Sequence, residues 1–407
     1  MDEVTAKRIL EALRTGVPDQ EHILEYTAPI RLESEPLSTM AAHLDEVAIG
    51  VSMTRFINGA YGEGKSHTLA LLRRKALERN FAVSYFPLRV EGTRFDKMDR
   101  VLGEMIRTLS TQQYPRSVGQ NTVFELIIKR WAEELDDVSR IIDDIIDPNI
   151  PDLRDAVTTY ARILNGQEPR ELAGQDRVTL LRNWFMPGPA GLSKRQRELI
   201  HVVNNIGSNA DKFIEGLAIF FRSLGYAGWV VLVDEQEVVP TLMTETQRNR
   251  CNENLRLLLD AANQGMPPKG IYYVFASAPE FFTDQQRGVN SYPALAGRIR
   301  ANAVLSLGNL NADEMRQVCM RLRNIFAASE PDLDIGSIFL DDDIALFTSA
   351  VEERYGAEKF KARGFVQSFV ALMEKRLANP SEPIAPLIDD VSGTTFNAIY
   401  AQIAAAR

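Results

Sequence analysis

At 407 residues, with 45% hydrophobic and 25% charged side chains, the chain has globular composition and room for two or three domains. Its 46 Lys and Arg stand against 55 Asp and Glu, a formal net charge of -9 that opposes broad electrostatic attachment to nucleic acid or anionic lipid but permits a local basic surface. The two cysteines, Cys251 and Cys319, lack metal-ligand spacing, and no apolar run approaches the ~18 residues of a membrane helix, so the expectation is a soluble cytoplasmic protein with no membrane partner.

The first 48 residues read as a small amino-terminal cap, with an amphipathic helix in "MDEVTAKRILEALRTG" followed by the linker-like "EYTAPIRLESEPLSTM". A strand is expected over Ser52 to Asn58, and Gly59, Ala60, Tyr61, Gly62, Glu63, Gly64, Lys65 and Ser66 then match G-x-x-x-x-G-K-[ST] completely, with the helical "SHTLALLRRKALERN" behind them. Glycine is needed there because successive N–H groups must turn inward around phosphates at backbone angles a Cβ disfavours. In this segment Lys65 would reach the β and γ phosphates of ATP and the Ser66 hydroxyl would ligate Mg²⁺. Glu63 carries no special meaning at this level, and His67 reads as solvated or as standing behind the ligands.

A second strand is expected over Phe81 to Val90. More than a hundred residues then precede the next core strand, too many for one crossover helix. Phe124, Ile127, Ile128, Trp131, Leu135 and Val138 recur at helical spacing, "IPDLRDAVTTYARILNG" continues the pattern, and Pro148, Pro151, Pro187 and Pro189 punctuate it, which indicates a helical insertion over about 113–208. Within it, Lys194, Arg195 and Arg197 are either a solvated face or a contact for phosphate backbones.

The run "GWVVLVDEQE" has the signature of a central strand buried on both faces, Trp229 to Val233, ending in two acids. Asp234 at such a strand end is suited to the Mg²⁺ shell and Glu235 to polarising the attacking water, a pair that favours hydrolysis over simple phosphoryl transfer. The next strand, Ile271 to Ala276, ends in Ser277, which either senses the γ-phosphate and orients water or serves a turn. Arg298 and Arg300 precede an edge strand over Ala303 to Leu307. Either can enter a neighbouring subunit's site, or both are surface charge.

From 309 onward the chain reads as a helical lid: "NADEMRQVCMRLRNIF", "DDDIALFTSAVEERYG", "ARGFVQSFVALMEKRLA" and "GTTFNAIYAQIAAA". Asn311 and Asp313 are candidate helix caps, Gly356 and Gly364 candidate breaks, and Arg363 stands early in a lid helix where it can reach a phosphate. The expected fold is therefore an α/β P-loop sheet, parallel, with helices on both faces, divided as a cap over 1–48, a nucleotide domain over 49–308 and a lid over 309–407.

The order of these motifs resembles AAA+ ATPases of the origin-recognition and Cdc6-like kind over residues 45 to 407. More narrowly, "AKRILEALRTGVP", "GAYGEGKSHTLALLRRKALERNF", "VVLVDEQE", "SAPEFF" and "ARGFVQSFV" resemble the ATP-binding proteins of bacteriophage-exclusion (BREX) systems, of the BrxD type and its BrxC relatives. The resemblance implies that Lys65 and Ser66 are Walker A ligands, Asp234 and Glu235 the Walker B pair, Ser277 the first sensor, where many relatives carry Asn, and Arg363 the second, with Arg298 as the arginine finger. It also implies an ATPase that forms homo-oligomers with ATP at subunit interfaces and works on duplex DNA beside a helicase or another defence protein. The rival expectations are a nucleotide-gated scaffold or helicase-loader-like factor with little turnover and, less favoured, a kinase, which has no use for Glu235.

Overall fold

The computed structural model describes residues 1–16, 19–119, 121–134, 150–188, 190–263, 269–359 and 361–391. They form two compact units, one made of Met1–Met40, Asn58–Leu72 and the chain from Ser306, the other of Ala41–Ile57 and Arg73–Leu305. The first forty residues and the glycine-loop stretch are thus grouped with the carboxyl-terminal helices, whereas the sequence reading divides the chain at 48 and 308.

The strands are β1 (Met53–Asn58), β2 (Ala82–Pro87), β3 (Leu109–Ser110), β4 (Glu171–Leu172), β5 (Gln175–Asp176), β6 (Trp229–Asp234), β7 (Ile271–Ser277) and β8 (Val304–Ser306). Six of them form one sheet in the order β3-β2-β6-β7-β1-β8, so the expected edge strand is at the edge and β7 lies between the acid-tipped strand and the one that enters the glycine loop. β2, β6 and β7 are parallel, with Pro87 opposite Asp234 and Val233 opposite Phe275. All six residues of β6 and all seven of β7 are buried. Since alternate residues of a strand face opposite ways, burial at every position means that both faces of the sheet centre are covered, the reason these runs carry no polar alternation.

β6 and β7 start side by side at Gly228 and Gly270, where Trp229 N–H donates to the Gly270 carbonyl at 2.9 Å. A Cβ on Gly228 would lie 2.5 Å from that same carbonyl oxygen, so only glycine fits. The phenyl rings of Phe56 and Phe275 stack across the core at 5.2 Å between centroids, and Trp229 Nε1 donates to Ser84 Oγ at 3.0 Å, which leaves the indole no unmet donor.

Two short elements escaped the sequence reading: β3, antiparallel on β2, and the β4–β5 hairpin. The insertion is helical where described, in Val123–Glu133, Pro151–Leu164 and Arg177–Phe185, and its Trp131, Tyr160 and Trp184 belong to the same continuous core as the sheet. The expected apolar positions Leu135 and Val138, and Pro148 and Pro189, lie outside the described residues. A capping box between Thr122 and Glu125 starts the first insertion helix, and the buried Glu125 also takes hydrogen bonds from Tyr160 and, at 2.7 Å, from Arg182. Those partners hold its carboxyl below the usual range against the opposing effect of burial.

In the other unit, helix Glu3–Thr15 buries Ala6, Ile9, Leu10 and Leu13, one face at helical spacing, and packs on helices Ala312–Ser329 and Ala362–Ala378. Asn311 caps the first of these through a capping box with Glu314, while Asp313 falls inside its first turn and is not a cap. Gly356 does not break the pattern: helix Asp341–Lys359 runs through it, and Gly364 sits inside the next helix. One glycine costs a helix only about 1 kcal/mol, which packing readily offsets. A further short helix, Ile384–Asp390, follows, and the expected "GTTFNAIYAQIAAA" helix lies outside the described residues. Among the described residues no helix is long and apolar enough to cross a membrane. Both cysteines are buried and free.

Candidate nucleotide site

The glycine loop leaves β1 and turns through Gly62 at φ 84° and Gly64 at φ 96°, the left-handed region that side-chain-bearing residues avoid. Helix Lys65–Glu78 starts immediately after, with Thr68 N–H on the Gly64 carbonyl at 2.8 Å. Lys65 is only 7% exposed, and its ammonium donates to the Gly59 carbonyl at 3.0 Å. A Cβ on Gly59 would fall 3.3 Å from the Lys65 Cγ and 3.1 Å from Leu307, so the first glycine makes room for the lysine stem. Left-handed glycine turns, a helix start and one buried ammonium are the parts from which a polyphosphate site is built, and ATP fits them. Mg²⁺ bound with the phosphates would ask of this unit only a hydroxyl, the chemistry of Ser66.

Two loop residues matter more than their sequence suggests. Glu63 is not an idle charge: its Oε2 accepts the Ala60 N–H at 2.6 Å, and its Oε1 pairs with Lys361 at the head of helix Ala362–Ala378. His67 is half-buried and has a side-chain partner. Its Nε2 lies 3.0 Å from Thr27 Oγ1, and Thr27 gives its single proton to the Ile23 carbonyl at 2.6 Å, so His67 must be the donor and its Nδ1 carries no proton. The ring also faces Tyr26 at 5.7 Å. The imidazole is thereby committed to the segment around Thr27, and what His67 can offer a phosphate is its backbone N–H.

Burial, with the Arg31 charge as a lesser cause, lowers the His67 pKa from 6.5 to about 4. Between these values the unfolded chain binds a proton that the folded chain refuses, so stability is full above pH 6.5 and falls as the pH drops towards 4. Thermal unfolding of His67→Gln should lack this part of the acid destabilisation that the parent shows. Parallel pH profiles for the two proteins would assign the effect to another group.

In the sheet unit, Asp234 is 3% exposed and its carboxylate is held by hydrogen bonds, Oδ1 accepting the Glu235 N–H at 2.9 Å and Oδ2 the Tyr85 hydroxyl at 3.1 Å. Tyr85 was not anticipated, although its polar tip in an otherwise apolar strand was visible. Glu235 adopts φ 59°, a left-handed conformation uncommon outside glycine. It is fixed there by Asp234 on one side and by Gln236 N–H donating to the Ala276 carbonyl at 3.0 Å on the other. Strained non-glycine backbone of this kind concentrates at functional sites. Ser277, fully buried at the end of β7, donates a long 3.3 Å hydrogen bond to the Ala278 carbonyl, and Glu237 Oε2 accepts the Ala278 N–H at 3.2 Å.

The two finger candidates differ. Arg298 is tied to its own chain, Nε to Asp260 at 2.8 Å and Nη1 to the Ala294 carbonyl at 3.0 Å, and the contact holds the Asp260 carboxyl below its usual range. Arg300 is exposed and has no side-chain partner among the described residues. The basic run also divides: Lys194 and Arg195 are exposed, whereas Arg197 turns inward onto the Leu192 and Val203 carbonyls at 2.7 and 2.9 Å. Arg363 does not stand open in the lid: its side chain is bonded to Tyr61 and Gly16.

Among solved structures the chain is similar to the ORC2 protein of Aeropyrum pernix in its ADPNP and ADP complexes, at 12% identity and TM-score 0.50 over 90% of this chain and 70% of that one. It also matches a Walker-type ATPase of Pyrococcus abyssi at 14% identity and TM-score 0.38, over 93% and 77%. At such identities the likeness to ORC2 concerns the fold, that of an origin-recognition-type AAA+ P-loop protein. No curated protein matches the chain. The profile of the BREX system ATP-binding proteins BrxC/D, in contrast, matches residues 2–391, nearly all of the sequence and every element described above. With its phosphate loop intact in sequence and in backbone conformation, the chain belongs to the BrxC/BrxD family of BREX ATP-binding proteins.

Proposed function

We propose that this protein is a Mg²⁺-dependent AAA+ ATPase of anti-phage defence, assembling with copies of itself and using hydrolysis to load or remodel a DNA-bound partner such as a helicase. The observation that carries the ATPase reading is the conformation of the glycine loop, with Gly62 and Gly64 at φ 84° and 96° and the buried Lys65 ammonium resting on a loop carbonyl. In this reading Lys65 holds the β and γ phosphates, Ser66 and Asp234 hold the cation, and Glu235 accepts a proton from the attacking water. Bound Mg²⁺ supplies neutralisation of charge across the phosphate oxygens. The left-handed backbone of Glu235 supports a catalytic over a structural acid. Arg300, untethered among the described residues, is better suited than Arg298 to reach another copy's site. The defence role and the other partners rest on family membership.

Steady-state phosphate release over a range of protein concentrations, with and without duplex DNA and with Glu235→Gln as the blank, tests the proposal. Turnover should rise more than proportionally with protein and further with DNA. Turnover at the level of the blank under every condition would leave a nucleotide-gated scaffold, and phosphorylated product in place of free phosphate a kinase.

A further inference from the structure

The guanidinium of Arg363, the group expected to read the nucleotide, is held on three sides within its own unit. Nε and Nη2 both donate to the carbonyl oxygen of Gly16, at 3.0 and 2.6 Å, and Nη1 donates to the Tyr61 hydroxyl. Its Cζ lies 4.8 Å from the centroid of the Tyr61 ring, within cation–π range. The Arg363 backbone N–H, an otherwise orphaned donor in the first turn of helix Ala362–Ala378, meets the Gly62 carbonyl at 3.0 Å. Three glycine-loop residues therefore touch this helix start: Tyr61 and Gly62 through Arg363, and Glu63 through Lys361.

Gly16 is specialised for its part. It ends helix Glu3–Thr15 in a left-handed cap at φ 71°, and a Cβ there would fall 2.7 Å from Arg363 Nε. The carbonyl accepts a two-pronged grip only because nothing stands between the cap and the arginine. Of the five guanidinium N–H groups, three are used, and one on each terminal nitrogen remains. A long side chain loses much rotamer freedom when it docks on a phosphate; one already fixed by a carbonyl, a hydroxyl and a ring face has lost it beforehand.

We infer that Tyr61 and the Gly16 carbonyl are positioning groups for Arg363, so that the amino-terminal helix is part of the apparatus by which this protein distinguishes ATP from ADP. The inference rests on the ATPase reading above. Tyr61 acts through Arg363 and the helix cap aims the fork. Any partner that shifted helix Glu3–Thr15 would change the response to the γ-phosphate, and the γ-phosphate would act back on that helix with equal coupling.

The test uses the full chain and four proteins besides the parent: Tyr61→Phe, Arg363→Ala, their double variant, and Gly16→Ala. Affinities for ADP and for a non-hydrolysable ATP analogue are measured by titration, with thermal unfolding of each apo protein as the control of fold. Tyr61→Phe should reduce the preference for the triphosphate about tenfold, the value of one hydrogen bond to a charged group, with ADP affinity unchanged. Gly16→Ala should do the same, and the double variant should be no worse than Arg363→Ala alone. Multiplying effects in the double variant, an equal loss of ADP and triphosphate affinity, or an Arg363→Ala protein with its preference intact would each overturn the assignment. A Gly16→Ala protein that keeps the preference would remove the helix cap from it. If the parent binds neither nucleotide, the ATPase reading fails first and takes the inference with it.

Discussion

Replacing Glu235 by Gln is expected to leave ATP bound and to slow its hydrolysis by about 10²- to 10⁴-fold, the range that a positioned general base contributes. Gln keeps the length and shape of the side chain but cannot take a proton from water. The backbone there should keep its conformation, because Gln meets φ 59° no worse than Glu does and the hydrogen bonds from the backbone N–H groups of 235 and 236 remain. The same backbone makes a second substitution informative. Glu235→Gly relieves backbone strain of about 1–3 kcal/mol but gives up the side chain's contacts as well, and it should be as inactive as Glu235→Gln. Phosphate release, binding of a fluorescent ATP analogue and thermal unfolding check the three parts. Wild-type turnover by Glu235→Gln would take the role of base away from this residue.

The sequence was most legible where chemistry is contiguous. The glycine loop occupies eight consecutive positions whose backbone angles are dictated by residue type, and β6 and β7 announce themselves because burial on both faces forbids polar alternation. Short or cooperative features were not legible. β3, β4 and β5 are two residues long each, below the length at which periodicity exists. Gly356 looked like a stop, but a helix ends where its packing ends, and packing is not local. The side-chain partners of the site were hidden for a similar reason: Tyr85 lies 149 residues from Asp234, and Gly16 lies 347 residues from Arg363. A lone Tyr or Gly carries no mark of a contact at such separation. Charge runs misled in the same way, since Arg197 shares its stretch with Lys194 and Arg195 yet is spent on two local carbonyls.

Lys65→Ala should abolish useful nucleotide binding, raising the dissociation constant for ATP by about 10²- to 10³-fold, since an ammonium bridging two phosphates makes two charge-assisted hydrogen bonds. The obvious objection is that a buried lysine holds the loop together and that its loss merely unfolds the site. The structure argues otherwise. Lys65 is 7% exposed, and its ammonium rests on the carbonyl of Gly59. The left-handed turns at Gly62 and Gly64 are set by residues other than Lys65. The apo variant should therefore unfold near the temperature of the parent. Saturating ATP should raise the unfolding temperature of the parent by the linkage RT ln(1 + [L]/Kd) and leave that of the variant unmoved. A variant that melts early without nucleotide would make Lys65 a structural residue, and one that ATP still stabilises would place the triphosphate elsewhere. Lys65→Arg should not restore binding, because a planar guanidinium fork does not reproduce the compact, freely rotating donors of an ammonium.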